Sequence, residues 1–378
     1  MHPLAASILF HAIGATSAAC CYVPQKRVRG WSWQSYWLTQ ASFCWLLLPV
    51  LGAFLTVPGF LEVVRAAPPD VMWRTFLLGA AYGIGGTAFG VAIRYVGFSI
   101  TYATAIGIST VGGTAYAIAK GQTGLSDMAA NLAEFWARAG SVWVVGGIAV
   151  GVVGVVFCGI SGRWKERDQE GAGAASGASR SWIGLLLCVV AGVLSAVYGI
   201  SLTEGEPIAA LAKVQAAGRT VMGIDAATFS SNAIYPFANA GAFLTTAVYC
   251  LILHARHRTL SEIVVLPEGA ERARLPVNWA MAVLTGVLWY GQFFFYGFGH
   301  FFILKVKGFE QTCWAIHMIL LILLGTLIGV AFKEWSGVRP RTRQALVLAL
   351  ALLIAGKLML DYGNLLGSRP PPAAAAKS

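Results

Sequence analysis

Charge is scarce in this chain. Only 11% of its 378 residues are Asp, Glu, Lys or Arg, where a soluble domain carries roughly 25%. Acidic residues are the rarer kind, 16 against 27 basic ones. With 57% hydrophobic residues and a mean hydropathy of +0.68, this shortage excludes an ordinary soluble domain. Positive charge is also missing where a cleavable leader would need it. "MHPLAASILF" has no Lys or Arg, and the first basic residues are Lys26, Arg27 and Arg29, after the apolar stretch. A secretory leader has the opposite order. "SAAC" at Cys20 faintly resembles a lipidation site but has the wrong flank. The opening stretch is therefore expected to stay as an uncleaved first helix with its N-terminus outside.

Reactive chemistry is equally thin. The seven cysteines (20, 21, 44, 158, 188, 250 and 313) lie in apolar runs without metal-ligand spacing. Adjacent Cys20 and Cys21 cannot form an ordinary disulfide. They read as small buried fillers, and no metal or cofactor is expected. No nucleotide-binding loop, zinc motif or nucleophile elbow occurs, which argues against a pump or a membrane hydrolase, and an enzyme is not expected.

What the chain has is long apolar runs. A span needs about 20 mostly apolar residues, and ten segments qualify: 3–23, 34–56, 73–93, 97–119, 140–161, 182–203, 230–253, 279–302, 311–332 and 344–366. The expected class is an all-α membrane protein of ten transmembrane helices. Trp31, Trp33, Trp37, Trp73 and Trp182 fall near segment ends, where amphipathic rings sit at headgroups. The net charge of +11 would suggest nucleic acid in a soluble protein. Here Lys and Arg sit between the apolar runs, so the charge reads as topological and membrane lipid is the expected surroundings. With the N-terminus outside, inner loops hold 16 Lys and Arg and outer loops 10. The excess favours both termini outside. The oligomeric state is not legible.

The stretch "RWKERDQEGAGAASGASRS" (163–181) is charged and then rich in Gly, Ala and Ser. It reads as a cytoplasmic linker between halves 1–162 and 182–366, with 367–378 as a disordered tail. "LLGAAYGIGGTAFG" (77–90) and "LTGVLWYGQFFFYG" (284–297) align without gaps, placing Gly79 on Gly286, Tyr82 on Trp289 and Gly90 on Gly297. Five helices per half is an odd number, so a duplicated half must enter the membrane the opposite way round. Inverted repeats around a midplane site are a transporter arrangement; chance likeness between glycine-rich helices is the alternative. Gly79, Gly83, Gly86 and Gly90 form one helical stripe, and Gly140, Gly147, Gly151 and Gly154 another. Such stripes let helix backbones approach closely.

Four runs carry a family resemblance: "HAIGATSAACCYVPQKRVRGWSW" (11–33), "GAAYGIGGTAFGVAIRYVGFSITYATAIGISTVGGT" (79–114), "LWYGQFFFYGFGH" (288–300) and "WAIHMILLILLGTLIGVAFKEW" (314–335). They resemble the L-rhamnose–proton symporter family, a branch of the drug/metabolite transporter superfamily. The resemblance implies ten helices in two inverted five-helix repeats. It also implies sugar uptake across the bacterial inner membrane, driven by inward proton flow. The chain departs from the family pattern at "SLTEGEPI" (201–208), in the outer loop 204–229 and at "FFILKVKGFEQTC" (301–313). These stretches border the regions expected to touch substrate. The expected partners are a proton and a monosaccharide near L-rhamnose in size. A metabolite exporter or exchanger, and a non-transporting sugar receptor, are the competing readings.

A sugar–proton symporter needs polar groups for hydroxyls, an amphipathic wall for the sugar's C–H face and a group that changes protonation. Trp289, Gln292, Tyr296 and His300 are spaced 3, 4 and 4 and share one helical face, with Phe294, Phe298 and Phe301 on other faces. Trp and Tyr suit the wall, and an unpaired mid-span amide such as Gln292 is costly. Glu310, Trp314 and His317 share a face of the ninth span, and His11 lies mid-way along the first. Ionisable groups at such depth are functional candidates, and histidine titrates in the working range. A histidine bonded to a helix carbonyl is the plainer reading. Lys357 and Asp361, four apart, read as a self-neutralising pair. Arg94 is placed to snorkel, Glu204 and Glu206 to sit in the outer vestibule, and Tyr102 and Thr104 are weaker lining candidates.

Overall fold

A chain this apolar can satisfy its backbone in lipid only within helices or a closed barrel, and it forms helices. The computed structural model describes residues 2–21, 23–121, 123–170, 181–265, 274–306 and 309–368. The first helices are α1 (Pro3–Cys20), α2 (Trp33–Ala41), α3 (Leu48–Thr56), α4 (Phe60–Ala66), α5 (Pro69–Val96), α6 (Phe98–Lys120) and α7 (Met128–Ala137). They are followed by α8 (Ser141–Glu170), α9 (Ser181–Glu204), α10 (Glu206–Gln215), α11 (Tyr235–His257), α12 (Arg274–Ile303), α13 (Cys313–Ala331) and α14 (Pro340–Ser368). Strands β1 (Thr220–Val221) and β2 (Ile224–Asp225) make one small antiparallel hairpin. Met222 and Gly223 at its tip both have positive φ, 52° and 74°, as a tight two-residue hairpin turn requires.

Among the described residues nine stretches are long and apolar enough to cross a membrane. They are Pro3–Arg27, Trp33–Thr56, Pro69–Val96, Ser141–Gln169, Trp182–Gln215, Ala226–His257, Arg274–Ile303, Cys313–Ala331 and Pro340–Ser368. The remaining expected segment, 97–119, is helical as α6 but falls outside that set. Ser99, Thr101, Thr104, Ser109, Thr110 and Thr114 lower its hydropathy.

Three sequence expectations are corrected by local chemistry. The linker expected over 163–181 begins as helix, because α8 runs on through the charged residues to Glu170. Residues 171–180, and 369–378 of the expected tail, lie outside the described part, and α14 takes in 367 and 368. The expected outer loop 204–229 contains α10, the hairpin and the start of a 3-10 turn, Ala226–Ala233. Pro207 in the first turn of α10 suits a helix start, and Ile208, Ala209 and Ala212 form its buried face. Trp73 and Trp182 are exposed near helix ends, as headgroup rings should be, but Trp37 is buried. It stacks on Trp33 at 4.9 Å, and Gly90 leaves the space both indoles need.

The chain divides into two compact units, each drawing on both halves of the sequence. The first comprises Met1–Leu9, Val91–Ala196 and Phe302–Ser378, and the second Phe10–Gly90 and Val197–Phe301. In the first unit α8 and α14 interlock through glycine. A Cβ at Gly147 would lie 2.6 Å from Leu360 N and 2.7 Å from Gly356 O, and one at Gly356 would lie 2.6 Å from Gly151 N. Without a hydrophobic driving force between helices in lipid, such backbone approach is what holds them together. In the second unit Gly79 and Gly83 of α5 meet the backbone at Ala238 and Ala242 of α11, and Gly241 returns the contact against Phe76 and Ala80. Gly86 and Gly90 of the same stripe serve a different purpose, since each lies under an indole, Trp45 for Gly86 and Trp33 with Trp37 for Gly90.

Candidate functional site

The eight candidate residues fall into both units. His11, Trp289, Gln292, Tyr296 and His300 are in the second; Tyr102, Trp314 and His317 are in the first.

In the second unit, Trp289 sits within an aromatic cluster built from three other elements and its own helix. Between α2 and α3 the helix widens into a π turn over Ser42–Leu47, where the Leu48 N–H donates to Phe43 O, five residues back. Such turns recur at functional sites, and this one carries Trp45. The Trp45 ring lies 5.6 Å from Trp289 and 6.0 Å from Tyr82 on α5. Tyr82 lies 4.4 Å from Tyr198 on α9, and Phe293 on α12 closes the group, 4.6 Å from Tyr198 and 5.8 Å from Trp289. The Tyr198 hydroxyl donates to Asn239 Oδ1 on α11 at 2.6 Å.

Three donors in this cluster, Trp45 Nε1, Trp289 Nε1 and Asn239 Nδ2, are buried without a hydrogen-bond partner among the described residues. Buried polar groups are nearly always paired, so each such group asks for an explanation. Leaving one unmade costs about 1–3 kcal/mol. Gln292, one turn along α12 from Trp289, is also buried. Aromatic faces beside idle donors are what a sugar needs: its C–H face packs on a ring, and its hydroxyls accept from N–H groups.

Further along α12 lies an ionisable group of contacts. The His11 imidazole of α1 rests on Gly299, where a Cβ would lie 2.7 Å from its Cδ2 and Nε2. Its ring meets Tyr296 edge-on at 5.3 Å. Tyr296 in turn lies nearly parallel to His300, with centroids 6.0 Å apart. His300 Nε2 is 2.9 Å from Glu206 Oε1 at the start of α10. Glu204, two residues earlier, pairs with Arg74 at 2.8 Å. The two carboxylates expected to stand in an open vestibule therefore both have partners.

In the first unit, Trp314 Nε1 donates to Ser109 O at 3.1 Å and approaches Ser109 Oγ at 3.2 Å, with its indole against Gly113. His317, one turn on, is fully buried. Tyr102 is half-buried on α6, seven residues before Ser109. Lys357 and Asp361 form the ion pair expected of them. The second carboxylate oxygen of Asp361 is buried without a hydrogen-bond partner among the described residues. The side chain of Glu310 lies outside the described part. None of the seven cysteines is joined in a disulfide, and five of them are buried. Among the described residues no three His, Cys, Asp or Glu side chains are grouped to hold a metal ion.

Sequence reasoning missed Trp45, Tyr198, Asn239 and Ser109 as partners. Asn239 carried a usable signal, because a mid-span amide incurs the same cost that singled out Gln292. Tyr82 carried another, since it aligns without gaps on Trp289. Nothing local marks Tyr198 or Ser109.

Comparison with known proteins agrees with the quoted runs. Residues 2–363 match the family described as L-rhamnose-proton symport protein. The chain is 29% identical over 363 residues to the L-rhamnose-proton symporter of Pectobacterium carotovorum, covering 96% of this chain and 98% of that one. It is 30% identical over 357 residues to the symporter of that name from Cronobacter sakazakii, with 94% and 96% covered. The same identity holds over 364 residues with that of Mannheimia succiniciproducens, with 94% and 97% covered. Together with nine helices long and apolar enough to span among the described residues, the match identifies a multi-pass membrane protein. With residues 2–363 matched, the chain belongs to the L-rhamnose–proton symport protein family.

Proposed function

We propose that the protein is a proton-coupled importer of L-rhamnose, or of a monosaccharide near it in size, working by alternating access. Its place is the bacterial inner membrane, with both termini on the periplasmic side. Its ten helices form two inverted five-helix repeats, 1–162 and 182–366, joined by a cytoplasmic linker. In the second unit Trp289, Gln292 and Tyr296, with the aromatic cluster around them, line the sugar; Tyr102 and Trp314 are the lining candidates of the first unit. His11 and His300 lie along the proton pathway in the second unit, and His317 is the proton-carrying candidate of the first. One observation carries the reading beyond family membership: the cluster of five aromatic rings and the neighbouring Asn239 hold three buried donors without partners among the described residues. A core built only for packing would gain by replacing such groups with apolar ones.

The test is uptake of labelled L-rhamnose into proteoliposomes under an inward proton gradient. One charge moving through 100 mV releases about 2.3 kcal/mol, enough for nearly fifty-fold accumulation. A protonophore should abolish it. Replacing Trp45 by Phe keeps a ring and removes one donor, so sugar affinity should weaken about tenfold, the size of one hydrogen bond in a dry site. Uptake of no deoxyhexose, hexose or pentose would end the proposal. Unchanged affinity in both Trp45→Phe and Gln292→Ala would move the sugar seat elsewhere.

A further inference from the structure

We infer that the Glu206–His300 pair is the outer proton-loading site of the symporter, the place where a proton binds before reaching His11. The inference rests on the proton-coupled reading above and adds a residue, Glu206, that neither the spacing pattern nor the family resemblance assigns to the proton route.

The geometry has a direction. Side-chain exposure is 35% at Glu206 and 18% at His300, and residue exposure falls to 7% at Tyr296 and 0% at His11. Ionisable groups thus run from the outer end of α12 to a fully buried imidazole, with Tyr296 in contact with both histidine rings. In the proposed orientation that is the path of an entering proton. The carboxylate is fixed at its place by the fold: Gly205 packs under Ile234, where a side chain would collide, and Glu206 opens α10. A helix N-terminus favours an ionised carboxylate, and an ionised carboxylate beside an imidazole favours the imidazolium.

A proton from the outer water makes His300 cationic, and Glu206 balances the new charge. Passing that proton towards His11 returns the pair to its starting charge. No other bond changes and no co-reactant is needed. Of the charged groups on elements packed near α10, Glu62 and Arg65 lie on α4, and Asp225 accepts from the Ala227 N–H. Arg74 on α5 pairs with Glu204 of α9 at 2.8 Å and lies 3.7 Å from Asp70 of its own helix. Lys213 is in the last turn of α10, and Arg219 lies beyond that helix.

The test uses full-length protein in proteoliposomes, measuring accumulation of labelled L-rhamnose against external pH, and sugar counterflow without a gradient. His300→Gln should lower accumulation at least about tenfold while counterflow stays within about twofold, because an amide bonds but does not carry a proton in this range. Glu206→Gln removes the anion that favours the imidazolium, so half-maximal uptake should need an external pH lower by about one unit. Arg74→Gln is the control, with an unshifted pH profile. The inference is overturned if His300→Gln and Glu206→Gln both accumulate sugar with the wild-type pH profile while wild type responds to the gradient. Should His300→Gln lose counterflow as well, the Glu206→Gln profile decides, and no shift in it overturns the assignment. A wild type that never accumulates sugar removes the transport reading and this inference together.

Discussion

Substituting Gly299 by Ala tests whether the seat of His11 is as tight as its contacts imply. The His11 imidazole lies against the α12 backbone, and an added methyl would stand 2.7 Å from Cδ2 and Nε2 and 2.8 Å from Cε1. Ordinary contact begins at 3.4 Å, so the ring must retreat by about 0.7 Å or α1 must move with it, an overpacking strain of the kind that costs about 1–3 kcal/mol. His11 has no exposed side to retreat into, and Tyr296 meets it edge-on. Thermal unfolding of the purified protein should therefore shift down by several degrees. Concentrative L-rhamnose uptake should fall more than counterflow, since His11 is displaced from the station proposed for it on the proton route. A double-mutant cycle isolates the clash. Once His11→Ala has removed the ring, Gly299→Ala should be nearly without cost, leaving a coupling of about 1–3 kcal/mol. Additive effects within about 0.5 kcal/mol would mean that the two residues do not meet, and the packing argument would be wrong.

Other perturbations follow from the same geometry. Replacing His317 by Gln, or His11 by Gln, should abolish accumulation more severely than counterflow; normal accumulation in both would transfer the proton to a group such as Asp361. In the 3-10 turn after α11, Leu260–Ile263, Glu262 accepts from the backbone N–H of Ser32 at 2.7 Å and the Ser35 hydroxyl at 2.8 Å. Burial alone would raise its carboxyl, but these hydrogen bonds and His254 together hold it below the usual carboxylate range. A depressed acid contributes stability above its unfolded value and loses it as pH falls through the folded one. The melting temperature of wild type should therefore exceed that of Glu262→Gln near neutrality, with the gap closing below about pH 4. A gap that stays constant from pH 7 to pH 3 would refute the clasp.

How much was legible depends on whether the signal was local. Apolar length marked the spans, because lipid thickness sets it. Glycine spacing marked the two stripes, though not what each glycine admits. Gly79 and Gly83 let in a backbone, while Gly86 and Gly90 of the same stripe let in indoles. Trp37 misled for the same reason: its place near a span end suggested headgroups, and only Gly90, more than fifty residues on, makes room to bury it. The α12 face was readable from spacing. The partners that give it meaning were not, since Glu206 lies 94 residues before His300, and Asn239 lies 41 after Tyr198.

The two groups of contacts on α12 bear on how sugar and proton could act on one another. Trp289 and His300 are eleven residues apart on the same helix, about 16 Å at the usual rise. That is too far for a sugar hydroxyl held at Trp289 to touch His300, and Tyr296, proposed to line the sugar, lies between them. What joins them is one continuous helix with a tyrosine midway: Tyr296 bears on His11 and His300, and Phe293, three residues before it, is packed against Tyr198 and Trp289. A shift of α12 that opens the aromatic rings to a sugar must also move Tyr296 against both histidines. Linkage is reciprocal, so a proton on the histidines alters sugar affinity by the same factor as the sugar alters proton affinity. A rigid α12 carrying both groups satisfies that requirement, with Tyr296 bearing on both histidine rings.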